Sequence, residues 1–138
     1  MININIQKNI LLAPLTTFRI GGSAKFFVEV KTKEEIKEAA EWAEKNNEPV
    51  FILAGGSNVL VSDKGVEGLV IKITNYPASS GPRQGGGKLQ ITNNGLTLGA
   101  GTSLAMAVKM AADNNLTGLE WAVAIPGTVG GAVAGNIG

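Results

Sequence analysis

No cysteine and no histidine occur in this 138-residue chain. The first absence excludes disulfides, a thiolate nucleophile and thiolate metal sites. The second removes the commonest metal ligand and general base. Chemistry within the chain is left to carboxylates, lysine, tyrosine, hydroxyls, the backbone or a bound cofactor. An excess of one charge is missing too, since Lys+Arg 12 against Asp+Glu 11 leaves +1. That is no electrostatic footprint for nucleic acid or an anionic membrane. Aromatics are 5% and charged residues 17%, but 44% of the chain is hydrophobic. One ordinary domain can build a core from that. The start, MININIQKNILLAPLTTF, has no basic stretch followed by an apolar block, so no signal peptide is expected. The uncharged tail, 121–138, contains Pro126 and several glycines. It reads as a buried loop and strand, not a membrane helix. The sequon Asn115-Leu116-Thr117 reads as chance.

Glycine is abundant, at 19 residues, and it gathers at the ends of apolar runs. That placement suits tight turns or close approach of backbone to a ligand. AKFFVEV (24–30) reads as a strand. In TKEEIKEAAEWAEKNN, Thr32 and Glu35 fit a capping box, and Ile36, Ala39, Ala40 and Ala43 give one apolar face. VFIL (50–53) is a second strand, so 24–53 forms a β-α-β unit with a parallel crossover. GLVIKIT (68–74) is a third strand. The Pro/Gly/Ser stretch 75–88 marks the best internal boundary. LQIT and LTLGAG flank Asn93-Asn94-Gly95 as a hairpin, and TSLAMAVKMAADNN is a helix capped by Thr102 or Ser103. Its inward face is Leu104, Ala107, Val108 and Ala111. Trp42 is expected in helix packing and Trp121 in a core or cleft wall. The class is α+β.

Four segments carry candidate chemistry. Gly55-Gly56-Ser57-Asn58 follows a strand, and such a turn lets several backbone N–H groups converge on an anion. No Gly-Lys-Ser/Thr follows, so it is not a Walker A loop. Taken alone, the turn supports anion binding and simple chain reversal equally. GAGTSL (99–104) is a partial G-x-G-x-x-G with Leu104 at the third glycine position, and reads first as a tight strand-to-helix turn. IPGTVGGAVAG (125–135) is a second bare-backbone stretch, which makes a dinucleotide-type ligand more plausible. Arg19, in TTFRIGGSAKFF, suits a phosphate or carboxylate partner as well as a surface ion pair.

In this order, FRIGG, GGSN and IPGTVGG resemble the N-terminal part of the UDP-N-acetylenolpyruvoylglucosamine reductase family. That family is part of the vanillyl-alcohol-oxidase-like, PCMH-type FAD-binding group. The resemblance runs from Leu15 onward. It implies two lobes clasping FAD: a small β-α-β lobe, 1–75, and a mixed α+β lobe, 76–138, that is incomplete. Gly55, Gly56, Ser57 and Asn58 would wrap the pyrophosphate, flanked by Leu53, Ala54, Val59 and Leu60. Pro126, Gly127, Thr128, Gly130 and Gly131 would close the other side of FAD, with Gly101 near the flavin. The implied reaction is NADPH-dependent reduction of an enolpyruvyl ether on a UDP-sugar, for peptidoglycan, in the bacterial cytoplasm. The cofactor supplies that chemistry, in keeping with the absence of His and Cys. The family's catalytic arginine, serine and glutamate match no position here, so no catalytic residue is assigned. The substrate domain is expected to be absent and the chain alone inactive. The alternatives are a module of another PCMH-type oxidoreductase and a non-catalytic flavin-binding fragment. Open sheet edges predict self-association. Replacing Gly56 by a bulky residue is expected to abolish FAD binding with little loss of fold.

Overall fold

A computed structural model describes residues 4–74, 90–92 and 95–136. The stretch 75–88, expected as a boundary, and Asn93-Asn94 of the expected hairpin lie outside the described residues. The first part is one four-stranded sheet. Strands β1 (Gln7–Leu11), β2 (Ser23–Val30), β3 (Val50–Leu53) and β4 (Val66–Ile73) lie in the order β1-β2-β4-β3. β1 is antiparallel to β2, and β4 is parallel to both β2 and β3. The expected β-α-β unit is therefore present in direction, but its two strands are not neighbours, because β4 inserts between them. β1 was not expected. Its five residues are almost all exposed and Asn9 has φ 55°, so no alternation marks it as a strand.

Helix α1 (Lys33–Lys45) begins on the expected capping box. Thr32 Oγ1 accepts from the Glu35 N–H at 3.1 Å, and Glu35 Oε2 accepts from the Thr32 N–H at 3.2 Å. These bonds satisfy two N–H groups that a helix start leaves open. Ala39 and Ala43 are buried and Ile36 is half-buried, but Ala40 is exposed, against expectation. The reason is Trp42, which meets Phe26 edge-on with ring centroids 5.0 Å apart. Its bulk rotates the buried face, leaving Ala40 roughly a quarter-turn off it.

Strand alternation divides the core between the two faces of the sheet. Val28, Val30, Leu69 and Ile71 pack with Ala39 and Ala43 of α1. Phe27, Leu53 and Val70 pack with Leu12 and Val61 on the other face. Leu12 introduces a 3-10 turn, Ala13–Leu15.

The second part starts with a short hairpin, β5 (Gln90–Thr92) and β6 (Gly95–Thr97). Its strands are shorter than the sequence suggested. Helix α2 (Leu104–Asp113) is capped by Ser103, whose Oγ accepts from the Met106 N–H at 3.1 Å. Leu104, Ala107 and Ala111 face inward, and Val108 is half-buried. The tail corrects the expectation of a buried loop and strand. It forms a 3-10 turn, Glu120–Ala122, and a short helix α3 (Val129–Ala134) capped by Thr128. Two glycines disfavour a helix by about 1 kcal/mol each. Tertiary hydrogen bonds offset this: the Val129 N–H donates to Thr102 O at 2.7 Å and the Gly130 N–H to Ala100 O at 2.8 Å. Among the described residues, no helix is long and apolar enough to cross a membrane.

Candidate functional site

The site begins where β3 ends. Leu53 is in the core, and the chain then turns through Ala54–Ser57 with little side-chain bulk. The two glycines of this turn differ. Gly56 has φ 66° and is buried, and a Cβ on it would lie 2.2 Å from Leu15 O and 3.0 Å from Thr16 Cα. The Thr17 N–H donates to Gly56 O at 3.0 Å. Gly56 thus seats the turn on the 3-10 segment of its own chain. This corrects the expectation that it tolerates bulk with little loss of fold. A Cβ on Gly55 would make only an ordinary 3.6 Å contact with Thr128 Cγ2. Gly55 is the glycine that faces the other bare segment.

That other segment lies directly opposite. Ser57 Oγ is 3.5 Å from Pro126 O, to which it donates, and a Cβ on Gly127 would lie 3.3 Å from Ser57 Oγ. Two stretches some 70 residues apart in sequence thus face each other across a cavity of about 510 Å³. Ligand pockets run from about 300 to 1,000 Å³. Ile52 and Ile73 from the sheet border the cavity, together with Ala100, Leu104 and the α3 residues Ala132 and Ala134.

Most of the residues expected here line this cavity: Ala54, Gly55, Gly56, Ser57, Asn58 and Val59 on one side, Pro126, Gly127, Thr128, Gly130 and Gly131 on the other. Leu53 is instead in the core, and Leu60 is 71% exposed and outside the lining. Gly101 is buried beside Ala100, which lines the cavity in its place. The sequence reading missed Ile52, Ile73, Ala100, Leu104, Ala132, Ala134 and Gly135. GAGTSL carried a signal for Ala100 and Leu104. Nothing local marks Ile52 or Ile73, because their role depends on the strand order that puts β3 and β4 side by side.

None of the lining residues is ionisable. Ser57, Asn58 and Thr128 supply the polar side chains. Among the described residues, the N–H groups of Gly55, Gly56, Ser57 and Asn58 donate no backbone hydrogen bond. A bare turn with such donors suits a diphosphate. In the facing segment the N–H groups of Val129, Gly130 and Gly131 already bond within the chain, the last to Thr128 Oγ1 at 3.2 Å. In that segment the N–H groups of Gly127 and Thr128 also donate no backbone hydrogen bond among the described residues, so both sides of the cavity offer donors, with the longer run in the turn after β3. The lining has no carboxylate, lysine or other ionisable acid or base, and the described residues contain no cluster of three or more Asp or Glu able to hold a metal.

A larger cavity of about 800 Å³ lies on the other side of Leu104. Leu116, Leu119, Trp121 and Val133 give it apolar walls. Trp121, expected in a core or cleft wall, is 50% exposed there and donates from Nε1 to Gly118 O at 3.0 Å.

An α+β frame that brings two bare-backbone segments together over a cavity without ionisable groups defines a nucleotide-cofactor-binding module. The FAD binding domain family matches residues 24–138, and the chain belongs to that family. It is 41% identical over 134 residues to the UDP-N-acetylenolpyruvoylglucosamine reductase of Synechococcus sp. (strain JA-3-3Ab), covering 96% of this chain and 40% of the relative. Against the enzyme of the same name from Clostridium novyi (strain NT), it is 39% identical over 133 residues, with 96% and 40% covered. The crystal structure of UDP-N-acetylenolpyruvylglucosamine reductase (MurB) from Thermus caldophilus superposes with a TM-score of 0.70 at 35% identity, covering 95% of this chain and 42% of that one. The chain thus spans about two-fifths of the length of these relatives.

Proposed function

We propose that the chain is the N-terminal, FAD-binding portion of a UDP-N-acetylenolpyruvoylglucosamine reductase. The observation that carries this reading is the meeting of the Gly55–Asn58 turn with the 126–131 segment over one cavity. Gly55, Ser57 and Asn58 hold the diphosphate of FAD through backbone and side-chain donors. The apolar walls, Ile52, Leu104 and Ala132 among them, exclude water from the cofactor. Bound FAD supplies hydride transfer, with NADPH as reductant and an enolpyruvyl UDP-sugar as substrate in the full-length enzyme. The lobes divide at 1–75 and 76–138, and the protein works in the bacterial cytoplasm. Because no residue here matches the family's catalytic arginine, serine or glutamate, the 138-residue chain binds the cofactor without turning over. The test is a titration of the purified chain with FAD. Flavin fluorescence is quenched, and the melting temperature rises by about 2 °C or more at saturating FAD. NADPH oxidation with the enolpyruvyl substrate stays at background. A chain that neither quenches nor is stabilised by FAD overturns the binding claim, and steady substrate-dependent oxidation overturns the inactivity claim.

We further propose that the isolated chain self-associates. β3 is at the sheet edge, with Val50 43%, Phe51 46% and Ile52 58% exposed. An apolar edge strand without charges or a bulge invites pairing with another copy. Size-exclusion chromatography should show an apparent mass that rises with loading concentration. A monomer at every concentration contradicts this.

A further inference from the structure

We propose that Arg19 is the cation that recognises the cofactor's diphosphate, an inference that rests on the FAD reading above. Five non-glycine residues among those described have positive φ: Asn9, Arg19, Asn47, Asn115 and Asn136. Four are asparagine, the residue that tolerates this backbone best, and Arg19 with φ 55° is the exception. An unfavourable backbone persists only when its surroundings impose it, and such positions cluster at ligand clamps. Here the surroundings do impose it. The Arg19 N–H donates to Thr16 O and to Thr16 Oγ1, both at 3.3 Å, and Thr16 is buried. Packing does not require the arginine, since Phe18, Arg19 and Ile20 are all exposed.

The same turn is fixed to the diphosphate-facing loop. Thr17 bonds to Gly56 O, and Thr16 Cα lies against Gly56. Arg19 follows two residues after Thr17, so its backbone is tied through Thr16 and Thr17 to the loop that holds Gly56. The cavity has no cation in its lining, yet a diphosphate diester brings two negative charges. Lys25, Lys37, Lys72 and Lys109 are each paired with a carboxylate; among the described cations without an ion pair, Arg19 is the one on the turn bonded to Gly56. A guanidinium offers a planar fork that matches phosphate oxygens in pairs.

The test compares FAD with riboflavin, which has the same ring system and no phosphate, on the wild-type chain, Arg19→Asn and Arg19→Lys. Arg19→Asn is expected to weaken FAD about tenfold or more at low salt and to leave riboflavin unchanged. Arg19→Lys retains part of the affinity. Added salt weakens FAD on the wild type more than on Arg19→Asn. The melting temperature of cofactor-free Arg19→Asn equals the wild type's or exceeds it by up to roughly 3 °C, since asparagine suits the backbone. Unchanged FAD affinity in Arg19→Asn sinks the proposal. So does equal loss of FAD and riboflavin, or a lowered melting temperature, because each marks a structural role. A wild-type chain that binds riboflavin no worse than FAD also refutes it, while one that binds neither defeats the FAD reading and takes this inference with it.

Discussion

Gly56→Val is expected to destabilise the chain's first part strongly, and weakened FAD binding will follow from that. A β-branched residue at φ 66° is strained, at a cost of about 1–3 kcal/mol. The added Cβ also lies 2.2 Å from Leu15 O, and backbone cannot yield as a flexible side chain does. Overpacking of this kind costs about 1–3 kcal/mol more. The sum, roughly 2–6 kcal/mol, is a large share of the 5–15 kcal/mol that holds an ordinary domain together. Circular dichroism melting should show a midpoint lowered by about 10 °C or more. Gly55→Ala is the matched control. Its Cβ meets only Thr128 Cγ2 at 3.6 Å, so the fold persists while the groove narrows and FAD weakens. If Gly56→Val melts like the wild type, the close seating of the turn on Leu15 and Thr16 is wrong.

The second large effect is expected at Gly130. A Cβ there would lie 2.7 Å from Ala100 Cβ and 3.0 Å from Ala100 O. The Gly130 N–H donates to that same carbonyl, so a side chain breaks the bond that holds α3 against 100–102. Gly130→Val forces α3 outward at a cost of about 1–3 kcal/mol. The damage is expected to stay local, since the atoms a Cβ at Gly130 would meet first all belong to Ala100. FAD affinity should fall by roughly 10- to 100-fold, as the cavity loses one wall. Amide exchange of β2 and β4 should stay as slow as in the wild type. Full FAD affinity in this variant would falsify the placement of α3 in the cofactor cavity.

How much of this was legible in the sequence depends on how local each cause is. The capping box of Thr32 and Glu35 could be read directly, because cap and partner are three residues apart. The turn after β3 could be read too, since an apolar run ending in Ala-Gly-Gly-Ser has few other uses. The different roles of Gly55 and Gly56 could not. They are set by Leu15 and Thr16 in a segment 40 residues earlier. α3 was hidden for the same reason. Two adjacent glycines oppose a helix locally, and the bonds that impose one come from 100–102. β1 was missed because its exposed residues show no period.

The position of β4 also has a consequence for synthesis. β2 and β3 are separated in the sheet by a strand that follows both of them in the chain. A ribosome therefore delivers α1 and β3 before β3 has any partner to pair with. Translation of residues 54–73 takes roughly 1–4 s at about 5–20 residues per second. During that lag Val50, Phe51 and Ile52 have no pairing partner, and one edge of β2 stays open. Arrival of β4 closes the gap in one step, pairing with β2 through Phe26–Val30 and with β3 through Val50–Leu53. The nascent chain is thus most exposed to chaperone capture or misassembly in the window that ends when Ile73 leaves the exit tunnel.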